Sequence, residues 1–600
     1  MRPMLPTSMK ELPIGPEWKY EPKYDGFRAL MYINGSSIML ISRNGIDLSS
    51  QFPEILRNVT DSKPPQYHSL LLDGEIVWLT NPYKSDFQQV QLRGRLRSQE
   101  KISHASTVSP CSYVCFDILE LDGENLTSLP YSKRRELLEN LFNHFITEKS
   151  EFVLIHSFDH PEKIWQTILL YDSEGAVAKK VNSTWEKGNR TTNWLKIKNK
   201  KTAHVFITSY NRGNGYFEVG VWKEETVVVI GRCRNGFQPE EYETLRQAVM
   251  SNASEQEGEI FFIDPSIVVA ISYLHVMEND LREPEFQAFL FDVSPTECTW
   301  EAFTVSSFVA SKDVSITSKE KPIWNGINKA QYLTVLRDIS TWLLFYLQNR
   351  PLTVIRYPHG IFDERFFQKN CPNYAPKFIE TYKEDDTDYI LCNDLQTLLW
   401  LGNQLAIEFH IPFQEAGETK PSEIVLDLDP EDENQFQSAI KAALLLKDAL
   451  DNLSMQSFIK TSGNRGLQIH IPLPKNTFSY QDTRIFTNFL SDWLIQHAPE
   501  AFTVERLKKN RGNRLYLDFV QHAEGKTIIA PYSPRANEFA GIAAPLYWEE
   551  VNESLNLKDY NIHTIYDRIK KYGCPFAQME AIRNVQPFEK IMAVLKKKYK

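Results

Sequence analysis

Residues 21–30, EPKYDGFRAL, place a lysine between Pro22 and Tyr24, immediately before an Asp25-Gly26 pair. As backbone chemistry the stretch is a turn, with Lys23 a solvated residue ahead of the strand that follows. As side-chain chemistry it is an amine held ready to act as a nucleophile. The surroundings in sequence decide between these. Downstream lie LDGE (72–75), CFDIL (115–119), EGAVAKK (174–180) and WLKIK (194–198), in that order. Singly, each reads as ordinary structure: LDGE as a hairpin turn, WLKIK as a half-exposed strand with Lys196 and Lys198 on one face.

The chain around them is that of a multidomain globular protein. Its 600 residues are 42% hydrophobic and 24% charged, with a formal charge of −10. That balance excludes coating nucleic acid by bulk charge but leaves room for local basic patches. KIKNKK (196–201), RLKKNRGNR (506–514) and the terminal KKKYK are such patches, suited to tracking a phosphate backbone. Seven cysteines are scattered, and Cys111 and Cys115 have no second pair to complete a zinc site. The amino terminus lacks a signal-peptide core, and no run approaches ~20 apolar residues, so a cytoplasmic location with no membrane association is expected.

Strand-like runs and turns fill residues 20–80, helical segments 85–170, and strands return before residue 200: an α+β domain over 1–200. VFITSYN, YFEVGVWK, TVVVIGRC and SIVVAISYL then read as strands with little helix, predicting a small β-barrel over 201–305. Residues 306–319 (SSFVASKDVSITSK), polar and without periodicity, read as a linker. A second α/β or α+β module occupies 320–600.

Taken as a series, the five segments from Lys23 to Lys198 resemble the motifs of the covalent nucleotidyltransferases: ATP-dependent DNA ligases, RNA ligases and mRNA capping enzymes. The resemblance implies an ATP-grasp-like nucleotidyltransferase domain followed by an OB-fold. It makes Lys23 the adenylated lysine, with ATP contacts from Glu21, Arg28, Arg43, Glu75, Phe116, Lys196 and Lys198. Phe116 would lie against the adenine, and Glu75 and Glu174 would hold a metal. An amine attacks the α-phosphate only when deprotonated, so Lys23 is expected to titrate low, helped by Arg28, Lys196 and Lys198. LREPEF (281–286) is similar to the last motif of the series, with Arg282 at the departing pyrophosphate.

The second module carries IVLDLDPEDE, in which Asp427 and Asp429 are two apart and share one strand face. Like charges so placed usually have a cation as their reason. KTSGNRGLQIH (460–470) is a Gly-rich loop suited to phosphates. RLYLDFVQ offers Asp518 from another strand, and APYSPRA offers Arg535. Three carboxylates are the set a two-metal nucleotidyl transfer uses. With RPLTVIRYP, FFQKNCP and LLWLGNQLAIEFH, these segments resemble the polymerase domain of the bacterial ligase D end-joining proteins, a branch of the archaeo-eukaryotic primases.

That resemblance implies Asp427, Asp429 and Asp518 as metal ligands for Mg²⁺ or Mn²⁺. Lys369, Lys460, Ser462, Gln468 and Arg535 would meet the nucleotide, and Phe366 or Phe367 a template base. One position departs from the family, which usually reads GLH: here GLQIH sets Gln468 in place of histidine, with His470 two residues on. Gln468 can donate a hydrogen bond but carries no charge, so slower nucleotide addition is expected. No segment is available for the phosphoesterase module that the family often carries.

Both resemblances together imply an ATP-dependent ligase and ribonucleotide-preferring polymerase acting on DNA ends, nicks and short gaps, with a Ku-type end-binding partner. An RNA ligase or capping enzyme would share the first series. A non-catalytic DNA-end binding module is the rival reading of the second.

Overall fold

A computed structural model describes residues 2–62, 68–144, 151–277, 280–432 and 435–598. Its contacts divide the chain into one unit of residues 1–321 with 328–334, and another of 322–327 with 335–600. Among the described residues no helix is long and apolar enough to cross a membrane.

In the first unit, the described strands Leu5–Ser8, Arg190–Lys198, Gly175–Lys180 and Trp18–Pro22 form one sheet in that spatial order. Strand alternation gives it two chemically different faces. Trp18, Tyr20, Ala176, Ala178, Leu195 and Ile197 pack with Ile164 and Ile168 of helix Pro161–Tyr171. The other face carries Glu21, Val177, Lys179, Trp194 and Lys196, brought side by side by the pairings Val177 with Glu21 and Lys196, and Lys179 with Trp194. A second sheet runs Phe152–Leu154, Ser112–Leu121, Ser69–Val77, Phe27–Asn34, Ser37–Ser42. LDGE, a turn candidate in sequence, lies wholly inside its Ser69–Val77 strand.

Residues 201–305 contain the antiparallel strands Lys201–Asn211, Tyr216–Lys223, Thr226–Cys233 and Val268–Tyr273, as the alternation predicts. They also contain helix Pro239–Ser251, which the reading of little helix missed. Its signals were present: proline and two glutamates in the first turn, and a capping box between Gln238 and Glu241. The stretch read as a linker is packed down: Phe308, Ser311 and Val314 are buried. Ser311 Oγ and the Lys312 N–H both donate to Gln166 Oε1, at 3.1 and 2.7 Å. Its polarity is that of a segment bonded to a helix rather than to water.

In the second unit, strands Glu423–Leu428, Leu467–Pro472, Phe458–Thr461 and Pro545–Leu546 form a sheet in that order. Ile424, Leu426, Leu428, Leu467, Ile469, Ile471 and Ile459 face helices Phe436–Asn452 and Tyr480–His497 through Leu446, Leu450, Phe486, Leu490 and Leu494. Alternation therefore turns Glu423, Asp427, Gln468, His470 and Lys460 to the opposite face. Beside it runs a second sheet of Phe366–Gln368, Thr353–Arg356, Ala406–Pro412 and Thr527–Ile529.

Candidate active sites

Lys23 lies in the short connection after the Trp18–Pro22 strand, its N–H donating to the Gly175 carbonyl at 2.8 Å. Gly175 is required there: φ is +150°, and a Cβ would stand 2.0 Å from the Ile197 carbonyl oxygen. Lys23 opens onto a cavity of about 240 Å³ whose lining includes Glu21, Arg28, Arg43, Glu75, Phe116, Lys179, Arg190, Trp194 and Lys196. All but Lys198 and Arg282 of the residues expected at ATP line this one cavity.

The charges are arranged differently from expectation. Lys23 Nζ donates to Glu174 Oε2 at 2.5 Å. Burial pulls the amine down, but Glu174, with Asp25 and Glu75 behind it, outweighs burial and holds Lys23 above the usual lysine range. The low-titrating Lys23 of the sequence reading is thus corrected: without nucleotide it is an ammonium. Lys196 is the lysine held low, by burial and then by Lys23, Lys198 and Arg190. Burial pushes Glu75 up to about 8 against the pull of Arg28 and Lys23, so it is mostly a neutral acid at pH 7. Burial also raises Glu174.

Arg28 is tied to Asp73 through two hydrogen bonds, Nε–Oδ1 at 3.0 Å and Nη2–Oδ2 at 2.7 Å, and through Nη1 to the Met4 carbonyl at 2.6 Å. Its charge is shared before any phosphate arrives, and it lies 5.2 Å from the Phe116 ring. Lys198 Nζ bonds both Glu283 oxygens, at 2.7 and 2.5 Å, and Arg282 pairs with Asp25 at 2.5 Å. The two cations outside the cavity lining are therefore each held by a carboxylate.

Among the cavity residues that escaped the sequence reading are Lys179, Trp194 and Arg190. Lys179, fully buried, pairs with Glu21 at 2.6 Å and lies 4.3 Å from the Trp194 ring and 4.6 Å from that of Phe116. Trp194 has an indole N–H that is buried without a partner. Arg190 is exposed at the rim. Pairing of Lys179 with Trp194 across two strands is the signal, and it needs register, which motif spacing does not supply.

In the second unit the pairings Asp427–Gln468 and Gln468–Lys460 set three polar side chains in a row across three strands. Gln468 Nε2 donates to Asp427 Oδ1 at 3.1 Å, and Lys460 Nζ donates to Gln468 Oε1 at 2.5 Å. Burial and then Asp429 push the Asp427 carboxyl up to about 6, with Asp518 adding to them against Gln468 and Lys460. Burial brings Lys460 down to about 7. Lys460, expected at the nucleotide, is fully buried, and Gln468 spends both ends of its amide within the row.

His470 takes no part in that row. Its Nδ1 meets Glu423 Oε2 at 2.8 Å, and its ring lies 5.4 Å from Phe576.

The carboxylates are less regular than the sequence reading had them. The strand ends at Leu428, leaving Asp429 exposed just beyond it. Asp518 follows the Leu515–Tyr516 strand instead of lying in it, and its Oδ1 accepts the N–H groups of Val520 and Gln521 at 3.2 and 3.1 Å. Among the described residues no three His, Cys, Asp or Glu side chains converge as a metal-holding group, here or around Glu75 and Glu174. Asp427, with the like charge of Asp429 and Asp518 gathered about it, fits a hard cation of the kind that one or two carboxylates share with substrate phosphates.

Ser462 Oγ accepts the N–H groups of Gly466 and Asn464 at 3.0 and 3.3 Å, holding the Gly-rich loop closed. Arg535 reaches Glu408 at 3.4 Å, and Glu408 also meets His410 at 3.1 Å. Phe366, Phe367 and Lys369 are exposed on or beside the Phe366–Gln368 strand, with the Arg356 guanidinium 4.9 Å from the Phe366 ring. Of the basic patches, Lys200 pairs with Glu285 at 2.5 Å and Lys201 with Asp172 at 2.7 Å. Tyr599 and Lys600 of the terminal run lie outside the described residues.

Comparison with known proteins matches residues 3–198 to the ATP dependent DNA ligase domain and residues 328–576 to the LigD primase-polymerase domain. The chain is 42% identical, over 100% of its length and 99% of the relative's, to the bifunctional non-homologous end joining protein LigD of Bacillus subtilis (strain 168). It is 24% identical to the multifunctional non-homologous end joining protein LigD of Pseudomonas aeruginosa, over 94% of this chain and 70% of that one. A solved structure, the polymerase domain of Mycobacterium tuberculosis ligase D in complex with DNA, is similar at 25% identity and TM-score 0.42, covering 45% of this chain and 98% of that chain. Matched end to end at 42% identity, with both domains in place, the chain belongs to the bacterial LigD family: it is a bifunctional non-homologous end-joining protein, an ATP-dependent DNA ligase joined to a primase-polymerase.

Proposed function

We propose that Lys23 carries AMP from ATP to the 5′-phosphate of a broken DNA strand, and that Asp427, Asp429 and Asp518 serve nucleotide addition at the other site. The observation that carries the first part is the Lys23–Glu174 contact at the edge of the shared cavity. Glu174 is placed to take the Nζ proton. The freed lone pair bonds to the α-phosphorus, the P–O bond to the β-phosphate breaks, and pyrophosphate leaves with that electron pair. AMP then passes to a 5′-phosphate, and a 3′-hydroxyl displaces it to seal the strand.

Phe116 and Trp194 provide the apolar wall for the adenine, and the Glu21–Lys179 pair offers its edge an acceptor and a donor. Arg43, Arg190 and Lys196 face the phosphates. Arg282 and Lys198 exchange Asp25 and Glu283 for the pyrophosphate end. On this reading residues 1–200 are the adenylation domain, 201–305 the OB-fold, 306–319 a packed connector and 320–600 the polymerase.

In the polymerase, a divalent cation (Mg²⁺ or Mn²⁺) supplies charge to activate the 3′-hydroxyl and hold the triphosphate. Asp427 and Asp429 would hold it with Asp518, while Arg535 and the Ser462 loop face the triphosphate. Exposed Phe366 and Phe367 stack on a template base, with Lys369 at the backbone. Ribonucleotides, short gaps and a Ku-type partner complete this reading.

Peptide mass mapping after incubation with ATP and Mg²⁺ tests the ligase assignment. AMP is expected on Lys23, and AMP on another lysine overturns it. Primer extension by the full chain carrying Lys23→Ala tests the polymerase, with Asp427→Ala as control. Extension that survives Asp427→Ala would remove that carboxylate from the site.

A further inference from the structure

The Asp427–Gln468–Lys460 row contains a side chain whose place calls for a reason. Lys460 is fully buried, and its ammonium has two acceptors, Gln468 Oε1 at 2.5 Å and its neighbour's carbonyl, Thr461 O, at 3.3 Å. The nearest negative charge in the row is Asp427, one strand beyond Gln468. A buried ammonium and a half-buried carboxylate attract, and a four-carbon stem is long enough to cross a neighbouring strand. What lies between them is the Gln468 amide, 3% exposed.

The amide can serve both neighbours in one orientation only: carbonyl toward the ammonium, NH₂ toward the carboxylate. It thereby gives Lys460 an acceptor and Asp427 a donor without letting the two charges meet. It also engages Asp427 through Oδ1 alone.

We propose that Gln468 is a positioning residue of the polymerase site: an amide spacer that keeps the Lys460 ammonium off Asp427, so that the carboxylate retains an oxygen for a divalent cation. This rests on the reading of Asp427 as a metal ligand. Replacing the amide by an apolar side chain leaves Lys460 with one weak acceptor and an open path to Asp427, where an ion pair competes with the cation. Removing the lysine as well takes the competitor away. A residue that merely filled space would behave in the opposite manner, with the second substitution adding to the damage of the first.

The test is Mn²⁺ binding to the full chain without nucleotide, followed by electron paramagnetic resonance of free and bound ion. Asp427→Asn defines the share belonging to this site; if it removes none, the metal-ligand reading fails and the spacer with it. Gln468→Leu is expected to weaken that share about tenfold or more, the scale on which a partner behind a ligand acts. Lys460→Met added to Gln468→Leu is expected to restore most of it. Should Gln468→Leu fail to fold, Gln468→Asn replaces it, being one methylene too short to span both neighbours. In primer extension the same variants should raise the Mn²⁺ concentration for half-maximal rate more than they lower the rate at saturation. Unchanged binding in the single variant, or a double variant no better than the single, overturns the proposal.

Discussion

Between Lys23 Nζ and Glu174 Oε2 there are 2.5 Å, and the pair holds the proton that adenylation must remove. The ammonium is favoured because Glu174 outweighs burial, so the amine fraction, and with it the rate of AMP transfer in a single turnover, rises with pH. Glu174→Gln leaves burial unopposed by its main partner, and the rate-versus-pH curve is expected to move to lower pH. A curve that does not move would separate Glu174 from the nucleophile. Lys23, Glu75, Phe116 and Glu174 were legible in sequence because motif order fixes them. Lys179, beside Lys180 in AKK, was not: its burial against Glu21 follows from strand register and from a cavity that spacing does not describe.

The strands explain both what was readable and what was misplaced. Alternation alone predicted that WLKIK presents Lys196 and Lys198 together, and in the structure it turns Asp427 away from Ile424, Leu426 and Leu428. Where a strand stops is decided by backbone contacts instead, which is why Asp429 and Asp518 fell outside elements the sequence had assigned to them. Gly466 marks one such boundary: a Cβ there would lie 2.3 Å from the Leu428 carbonyl oxygen and 3.1 Å from Asp429 Cα. Gly466→Ala should therefore cost about 1–3 kcal/mol in thermal or denaturant unfolding, as overpacking does. It should also slow nucleotide addition, because the atoms displaced adjoin Asp429. The same sheet buries Glu423 against His470 and Arg350. Burial raises its carboxyl, but His470, Arg350 and Arg583 overcome this and bring it down to about 2. A depressed carboxyl stabilises the fold above its unfolded pKa, about 4.3 for glutamate, and that share is lost as pH falls toward 2. Glu423→Gln should lack this part of the acid sensitivity in pH-dependent denaturant melts.

At the scale of the molecule, sequence order was enough to separate two chemistries, but it could not say which charges are spent at home. KIKNKK looked like a track for DNA, yet Lys198, Lys200 and Lys201 each pair with a carboxylate of the first unit, as Arg282 does with Asp25. The pairs of Lys198, Lys200 and Arg282 are partly exposed and salt-sensitive, so they can be exchanged for phosphate groups at modest cost, whereas the Lys201–Asp172 pair is buried. Arg282→Ala should accordingly slow formation of the lysine adenylate while leaving the sealing of a nick supplied with AMP already on its 5′-phosphate much less affected. Failure of both steps alike would mean that Arg282 serves the fold instead of pyrophosphate. The two sites draw on residues of different units, with Lys23 and its cavity in one and the Asp427 row in the other. Substitutions that leave each fold intact should then separate the activities. Lys23→Ala should add nucleotides to a gapped end at the wild-type rate and seal nothing, whereas Asp427→Ala should seal a nick at the wild-type rate and add nothing. On a gapped end that needs both, neither variant alone should yield joined product, and mixing the two should restore it, since filled ends can pass through solution from one chain to the other. If the mixture stays inactive while each single activity is intact, the filled end must be handed over within one chain.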